Sequence, residues 1–286
     1  MNLVVAGNVS RDTVEINYKQ VETIGGAAYY VALAASLIGC TTFLVALAGS
    51  DFPIESIPNI RQLRLNYLKI VDGPTTHFKL RYDHTMVLKE ITSKFGPRPI
   101  EPKDIIPLPS GTNAFHVTSK EPISPERFLT IPNASFFSTD VSLSSLEKKR
   151  TSIKSFIPHV RYLFMNADEY NLSRNWLNFK EYSQLTLIVT SGEDGLQVFR
   201  KDNIICEVPA YKTQIVDPTG AGDVLAGGTL GMLCQNRELE TALSVGSALG
   251  SICVENWGPS RIANASIVEI YDRAAWILSK VKRYAK

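Results

Sequence analysis

The chain is short of several features that define whole classes of protein. Its four cysteines, Cys40, Cys206, Cys234 and Cys253, lie far apart and form no CxxC pair. That spacing argues against a zinc ribbon or a redox dithiol and fits buried thiols in a reducing compartment. Charge of one sign is also lacking: 30 Lys and Arg stand against 28 Asp and Glu, a formal +2. A nucleic-acid or membrane-surface binder would carry a clustered basic excess. No stretch reaches the ~18 apolar residues of a membrane span. Residues 1–7 have no basic n-region, and their apolar run is of strand length rather than that of a signal peptide. Common catalytic and nucleotide motifs are missing too: GxxxxGKS/T, GxGxxG after the first strand, GxSxG and HExxH do not occur. The expectation is a cytoplasmic protein with neither a nucleic-acid nor a membrane partner.

Apolar material for a sizeable core is present, with 44% hydrophobic against 20% charged residues in 286. One large α/β domain, residues 1–286, accommodates that length. Strand-like runs at 3–6, 42–48, 114–118, 134–138, 162–165 and 185–190 alternate with longer helical patterns. Helical spacing marks 27–38, 144–156, 223–234, 239–255 and 266–281, the last with Asn264 as its expected N-cap. The alternation predicts a mostly parallel sheet covered by helices.

Two stretches, 13–24 and 75–91, break the rhythm. In the second, Phe78, Leu80 and Tyr82 point one way and His77, Lys79 and Arg81 the other. Such strands have one wet face and predict a small sheet of their own, whose edges could pair with a second copy. Residues 97–109 hold five prolines and read as an irregular linker over the surface. Glycines 227, 228, 231, 246 and 250 fall inside predicted helices. Each costs about 1 kcal/mol there against Ala, so close packing or a ligand must offset it.

The most informative stretch is Val216-Asp217-Pro218-Thr219-Gly220-Ala221-Gly222-Asp223, which follows a strand-like segment and opens a helix. Gly220-Ala221-Gly222 has little side chain, so an anion can approach the backbone. Successive amides at a helix start form a nest of donors with positive potential. That nest alone does not choose between phosphate, sulfate and carboxylate. Asp223 narrows the choice. A carboxylate inside an anion nest repels the anion unless it has a task, and accepting the proton of an attacking hydroxyl is one. Phosphoryl transfer through a loose transition state needs only a late, weak base in line.

Asp217-Pro-Thr-Gly-Ala-Gly-Asp223 resembles the second signature of the ribokinase/PfkB carbohydrate kinases. The resemblance implies a ribokinase-like three-layer α/β/α sandwich with a small β-sheet lid, formed by about 13–24 and 75–91. It implies Asp223 as catalytic base and Gly220, Ala221 and Gly222 as anion hole. Gly25-Gly26-Ala-Ala-Tyr-Tyr30 resembles the first signature, whose paired glycines line the acceptor site. Gly7-Asn8 and Asp12 are similar to the first-strand element, whose Asp binds substrate hydroxyls. Asp12 is expected just past a strand's C-terminal end, where open α/β sheets bind ligands. Asn166-Ala-Asp-Glu169 resembles the element near the phosphates and Mg²⁺, with Asp217 a further candidate for the ion. Ser191, Gly192 and Gly195 resemble a nucleotide-side turn. Gly246 stands in the adenine-side helix where the family has Asn. ATP and Mg²⁺ are implied as cofactors, with room for a monovalent cation.

Tyr30 replaces the Asn of the first signature and offers an aromatic wall to a substrate ring. The Gly25–Tyr30 segment most resembles the inositol-kinase branch, so a sugar, sugar acid or cyclitol is the expected acceptor. A nucleoside kinase, or a degenerate metabolite-binding protein of the same fold, is the alternative.

Overall fold

The computed structural model describes residues 1–111, 113–119, 123–131 and 134–284. The chain opens with β1 (Asn2–Ala6), passes through β2 (Ser10–Ile16) and β3 (Lys19–Gly25) into α1 (Ala27–Leu37), and returns along β4 (Thr42–Gly49) and β5 (Leu63–Val71). Two strands of alternating polarity follow, β6 (His77–Tyr82) and β7 (Leu88–Lys94). Next come β8 (Asn113–Val117), β9 (Ala134–Asp140), α2 (Leu143–Lys148), α3 (Arg150–Phe156), β10 (Val160–Asn166), α4 (Ala167–Ser173) and β11 (Thr186–Thr190). A hairpin, β12 (Leu196–Arg200) and β13 (Asn203–Val208), leads to α5 (Ala221–Cys234), α6 (Leu239–Cys253), α7 (Ser260–Ala263), α8 (Ile267–Leu278) and a short β14 (Lys282–Arg283).

Among the described residues the main sheet has ten strands, in the order β5-β4-β1-β8-β9-β10-β11-β12-β13-β14. It is parallel from β5 to β11 and antiparallel beyond. The chain reverses its direction of travel across the sheet between β1 and β8, and such a switch point opens a ligand crevice at the carboxyl ends. Alternate residues of β1 face opposite layers. Leu3 and Val5 meet the layer of α1, α5, α6 and α8, whereas Val4 and Ala6 face the other side. α1 is buried nearly all round, as expected of a helix without a polar face. No described helix is long and apolar enough to cross a membrane.

The lid sheet has the order β3-β2-β6-β7, with β2 and β6 parallel and the outer pairs antiparallel. Its inward residues Val14, Ile16 and Leu80 pack together with Trp257 of the body. β7 is an edge strand, exposed along its length.

Several sequence expectations are corrected. The stretch 144–156 is two short helices, broken at Lys149, whose Nζ donates to the Ile123 carbonyl at 3.2 Å. The cap of α8 is Ser266, whose side chain accepts from the Glu269 amide, not Asn264. The proline-rich segment runs over the surface, as expected, but is anchored rather than loose. Ile100 and Ile105 plug the core beneath it, and buried Asp104 accepts two bonds from Arg98 at 2.7 and 2.8 Å. β5, β12 and β13 lacked a clear buried run and were not anticipated.

Gly227 and Gly246 are packing residues. A Cβ on Gly227 would fall 2.2 Å from the Val31 carbonyl of α1, and one on Gly246 would fall 2.4 Å from the Leu225 carbonyl of α5. Gly227→Ala should therefore destabilise the protein by about 1–3 kcal/mol through overpacking. An unchanged thermal melting midpoint would show that α1 and α5 are not held at this spacing.

Candidate active site

Asp12 lies on the inward face of β2, within the lid strand rather than just past the end of β1. Its carboxylate lies against Gly25, where a Cβ would fall 1.9 Å from Oδ2. Gly25 therefore makes room for the acid group itself. The neighbouring Gly26 has φ +100° and caps α1, and a Cβ there would strike the Asn8 carbonyl. Asp12 is 4% exposed, and its Oδ1 has no hydrogen-bond partner. Burial pushes its carboxyl up from 3.8 to about 7, and the negative charges of Asp217 and Asp223 add to that shift. Asp12 and Asp223 are thus within electrostatic reach of one another. Beside Asp12 opens a cavity of about 540 Å³, walled by Arg11, Ile24, Tyr29, His77, Pro259 and Asn264 among others.

The start of α5 lines a separate cavity. Gly220 adopts left-handed backbone, φ 78°, and its carbonyl accepts from the Val224 amide at 2.8 Å. A side chain there would strike the Tyr30 ring at 2.7 Å, whereas a Cβ on Gly222 would meet nothing within 4 Å. The bare edge of Gly222 faces open space, as a cradle for a ligand must. Gly220, Ala221, Gly222 and Asp223 line a cavity of about 190 Å³ together with Asn166 and Glu169. The latter two cap α4 reciprocally: Asn166 Oδ1 accepts from the Glu169 amide at 2.9 Å, and Glu169 Oε2 accepts from the Asn166 amide at 2.8 Å.

A third cavity, about 400 Å³ and largely apolar, is lined by Gly192, Gly195, Tyr211, Leu225, Ser247 and Gly250 among others. It shares Thr190, Pro218, Ala221 and Gly222 with the small cavity. An elongated ligand could therefore rest an apolar ring in one and an anionic end in the other.

Four predicted site residues sit elsewhere. Asp217 is 1% exposed, and its two oxygens accept from the Thr219 and Gly258 amides at 2.9 Å each, so it anchors a loop rather than offering itself to a metal. Tyr30 is buried beneath Gly220, and it is Tyr29 that reaches the cavity beside Asp12. Gly246 lies at the α5–α6 contact, and Gly250, one helical turn on, lines the apolar cavity instead. Ser191 lines a separate cavity with Gln197 and Lys280. For Mg²⁺, no group of three or more His, Cys, Asp or Glu is clustered among the described residues. Mg²⁺ keeps waters and substrate oxygens and needs only one or two carboxylates, and Glu169 fits that demand.

Comparison with known proteins places the chain in a family. A family model described as pfkB family carbohydrate kinase matches residues 110–265. The chain belongs to that family. A cytidine kinase of Thermococcus kodakarensis is 29% identical over 281 residues, covering 90% of this chain and 98% of its own. An inositol 3-kinase of Arabidopsis thaliana is 24% identical, covering 94% and 78%. Among solved structures, the Burkholderia thailandensis nucleoside kinase in complex with inosine superposes with a TM-score of 0.83 at 18% identity, covering 96% of this chain and 97% of its own. The fold is ribokinase-like, with the mixed sheet and separate lid described above.

Residues of this pfkB kinase that sequence reasoning passed over include Tyr82 and Tyr211. Thr219 Oγ1 donates to the Tyr82 hydroxyl at 3.1 Å, joining lid and nest. Tyr82 had a signal, since it belongs to the inward set with Phe78 and Leu80. Tyr211 lies in a loop without periodicity and had none.

A carboxyl group whose pKa is raised by folding contributes its full stability below its unfolded pKa and loses it as pH rises through the folded one. For Asp12 that window runs from 3.8 to about 7. Asp12→Asn should melt above the unliganded wild type at pH 8, and the gap should close towards pH 4. A gap independent of pH would remove Asp12 from the account.

Proposed function

We propose that this pfkB kinase transfers the terminal phosphoryl of ATP to a hydroxyl of a nucleoside. One observation carries the reading. The charge of Asp223, at the start of α5, bears on the buried lid carboxylate of Asp12, and the amide edge beside Asp223 lines both a small cavity and the adjoining apolar one. Asp12, ionised above about pH 7, would accept hydrogen bonds from two acceptor hydroxyls, because a carboxylate has lone pairs for both. Those bonds would also relieve its unpartnered Oδ1. Asp223 takes the proton of the attacking hydroxyl as the bond to phosphorus forms and ADP leaves. The amides at Gly220–Gly222 and the helix dipole offset charge on the transferring group. Bound Mg²⁺ would supply further neutralisation of phosphate charge, with Glu169 as its protein carboxylate. The lid covers the acceptor side and excludes water, a competing acceptor.

Cavity size and lining favour the nucleoside over the smaller acceptors. About 540 Å³ walled by Ile24, Tyr29 and three prolines suits a ribose with an apolar ring attached, within the ~300–1,000 Å³ usual for such sites. The cytidine kinase and nucleoside kinase relatives support the same class. A cyclitol or free sugar, the class first expected, finds support in the inositol 3-kinase relative but would fill less of the space.

A coupled ADP-release screen over nucleosides, cyclitols, pentoses, hexoses and sugar acids tests the acceptor. Nucleosides should give the highest kcat/KM, and preference for a cyclitol would reverse the assignment. Asp223→Asn should lower kcat by roughly 10²–10⁴-fold with the fold intact. Near-wild-type turnover in that variant would refute the base.

A further inference from the structure

We propose that Arg273, on the inner side of α8, is a positioning residue that holds the wall of the nucleotide cavity. The proposal rests on the nucleotide reading of that cavity given above. Arg273 is absent from the residues lining the cavity, yet it contacts three of its walls directly or through one partner. Its guanidinium carbon lies 4.8 Å from the centre of the Tyr211 ring. Nη1 donates to Ser251 Oγ at 3.1 Å. Nη2 pairs with Glu255 and with Glu269, each at 2.7 Å. Glu255 in turn accepts from Thr213 Oγ1 and, at 3.0 Å, from Arg261 Nε. Tyr211, Thr213 and Ser251 all line the apolar cavity, and none of them lines the acceptor cavity.

The remaining support for this wall meets at the same point. The Val216 and Asp217 amides donate to the Val254 carbonyl at 2.7 and 3.1 Å, one residue before Glu255. The loop running towards Gly220 is thus held at the end of α6, beside the ion cluster. Trp276 meets the Tyr211 ring edge-on at 5.3 Å, so that ring is fixed by a cation and by an aromatic edge. Arg273 has only 12% of its side chain exposed. A planar guanidinium can lie over a ring while its five N–H donors reach several acceptors in a fixed fork, whereas an ammonium is a compact point charge with three donors on a flexible stem. Removing Arg273 would leave Arg261 as the cation shared by Glu255 and Glu269, would leave the Tyr211 ring held by the Trp276 edge without the cation, and would take from Ser251 Oγ the donor it accepts from.

The test is titration calorimetry on the full chain with two probes, ADP and inorganic tripolyphosphate. Arg273→Met should weaken ADP roughly tenfold, the scale of coupling through a packed network. Tripolyphosphate, which needs only the α5 amide edge, should bind within twofold of wild type. Arg273→Lys keeps a cation but not the stacked plane, and should lose ADP affinity by an intermediate factor. It also carries the test if Arg273→Met does not fold. Gly250→Leu, which fills the cavity, is the reference. If it abolishes ADP binding while folded Arg273 variants keep wild-type affinity, the proposal is overturned and the nucleotide reading stands. If ADP and tripolyphosphate weaken equally in the Arg273 variants, Arg273 only supports the fold and the proposal is again overturned. If ADP binds Gly250→Leu undiminished, the cavity is not the nucleotide site, and reading and proposal fall together.

Discussion

A buried carboxylate, Asp12, within electrostatic reach of two others, Asp217 and Asp223, is the constraint around which the site is built. Asp217 meets two backbone amides, so its negative charge has local donors. Asp223 sits in the first turn of α5, where the helix dipole favours an anion. Asp12 has donors in Ser10 and the Phe78 amide, but burial outweighs them and raises its carboxyl to about 7. Burial is the main cause of that shift, and the neighbouring charges of Asp217 and Asp223 add to it. The unfavourable ionisation therefore falls on the one of the three that lines the cavity beside the lid. A polyhydroxyl ligand would supply a donor to the unpartnered Oδ1 of Asp12, and a site incomplete in this sense gains more from the right ligand than a satisfied one would.

Glycine gives this arrangement its spacing, through different physics at each position. Gly25 leaves room for a carboxylate, Gly220 for the Tyr30 ring, and Gly227 for the main chain of α1. Gly222 is the exception, since nothing of the protein occupies the space its side chain would take. A glycine that makes room for protein reports on packing. A glycine that makes room for nothing, at the positive end of a helix and beside a carboxylate, reports on a ligand. The two cannot be told apart by composition, and only the coordinates separate Gly222 from Gly227.

That distinction explains what the sequence revealed and what it hid. Local chemistry was legible: the bare backbone before Asp223, the alternating lid strands, and the apolar runs that became β1, β4, β10 and β11 each carry their signal within a few consecutive residues. Misassigned residues depended on partners far along the chain. Asp217 looked available until Gly258, some forty residues on, was seen to occupy one of its oxygens. Tyr30 looked like a substrate wall until its ring was found beneath Gly220. Residues 97–109 looked like a loose linker because five prolines obscure the two isoleucines that matter. The ion cluster around Arg273 shows in the sequence only as the i,i+4 pair Glu269–Arg273, because its other members, Glu255 and Arg261, come from the residues after α6 and from α7.

Lid and nest are joined at more than their facing surfaces. Tyr82 reaches Thr219, the residue before Gly220. Trp257 packs into the lid core, and the next residue, Gly258, donates to Asp217. The loop 217–220 is therefore gripped from both ends, by the lid through Thr219 and by the Trp257–Gly258 corner through Asp217. Lifting the lid must break the Tyr82 contact and uncover Trp257, which loosens both grips on the segment that presents Gly220. The amide edge of α5 is accordingly best ordered when the acceptor side is covered. On the proposed chemistry, that order would place the phosphoryl-binding backbone last, after the acceptor is enclosed, and so limit transfer to water while the cleft is open.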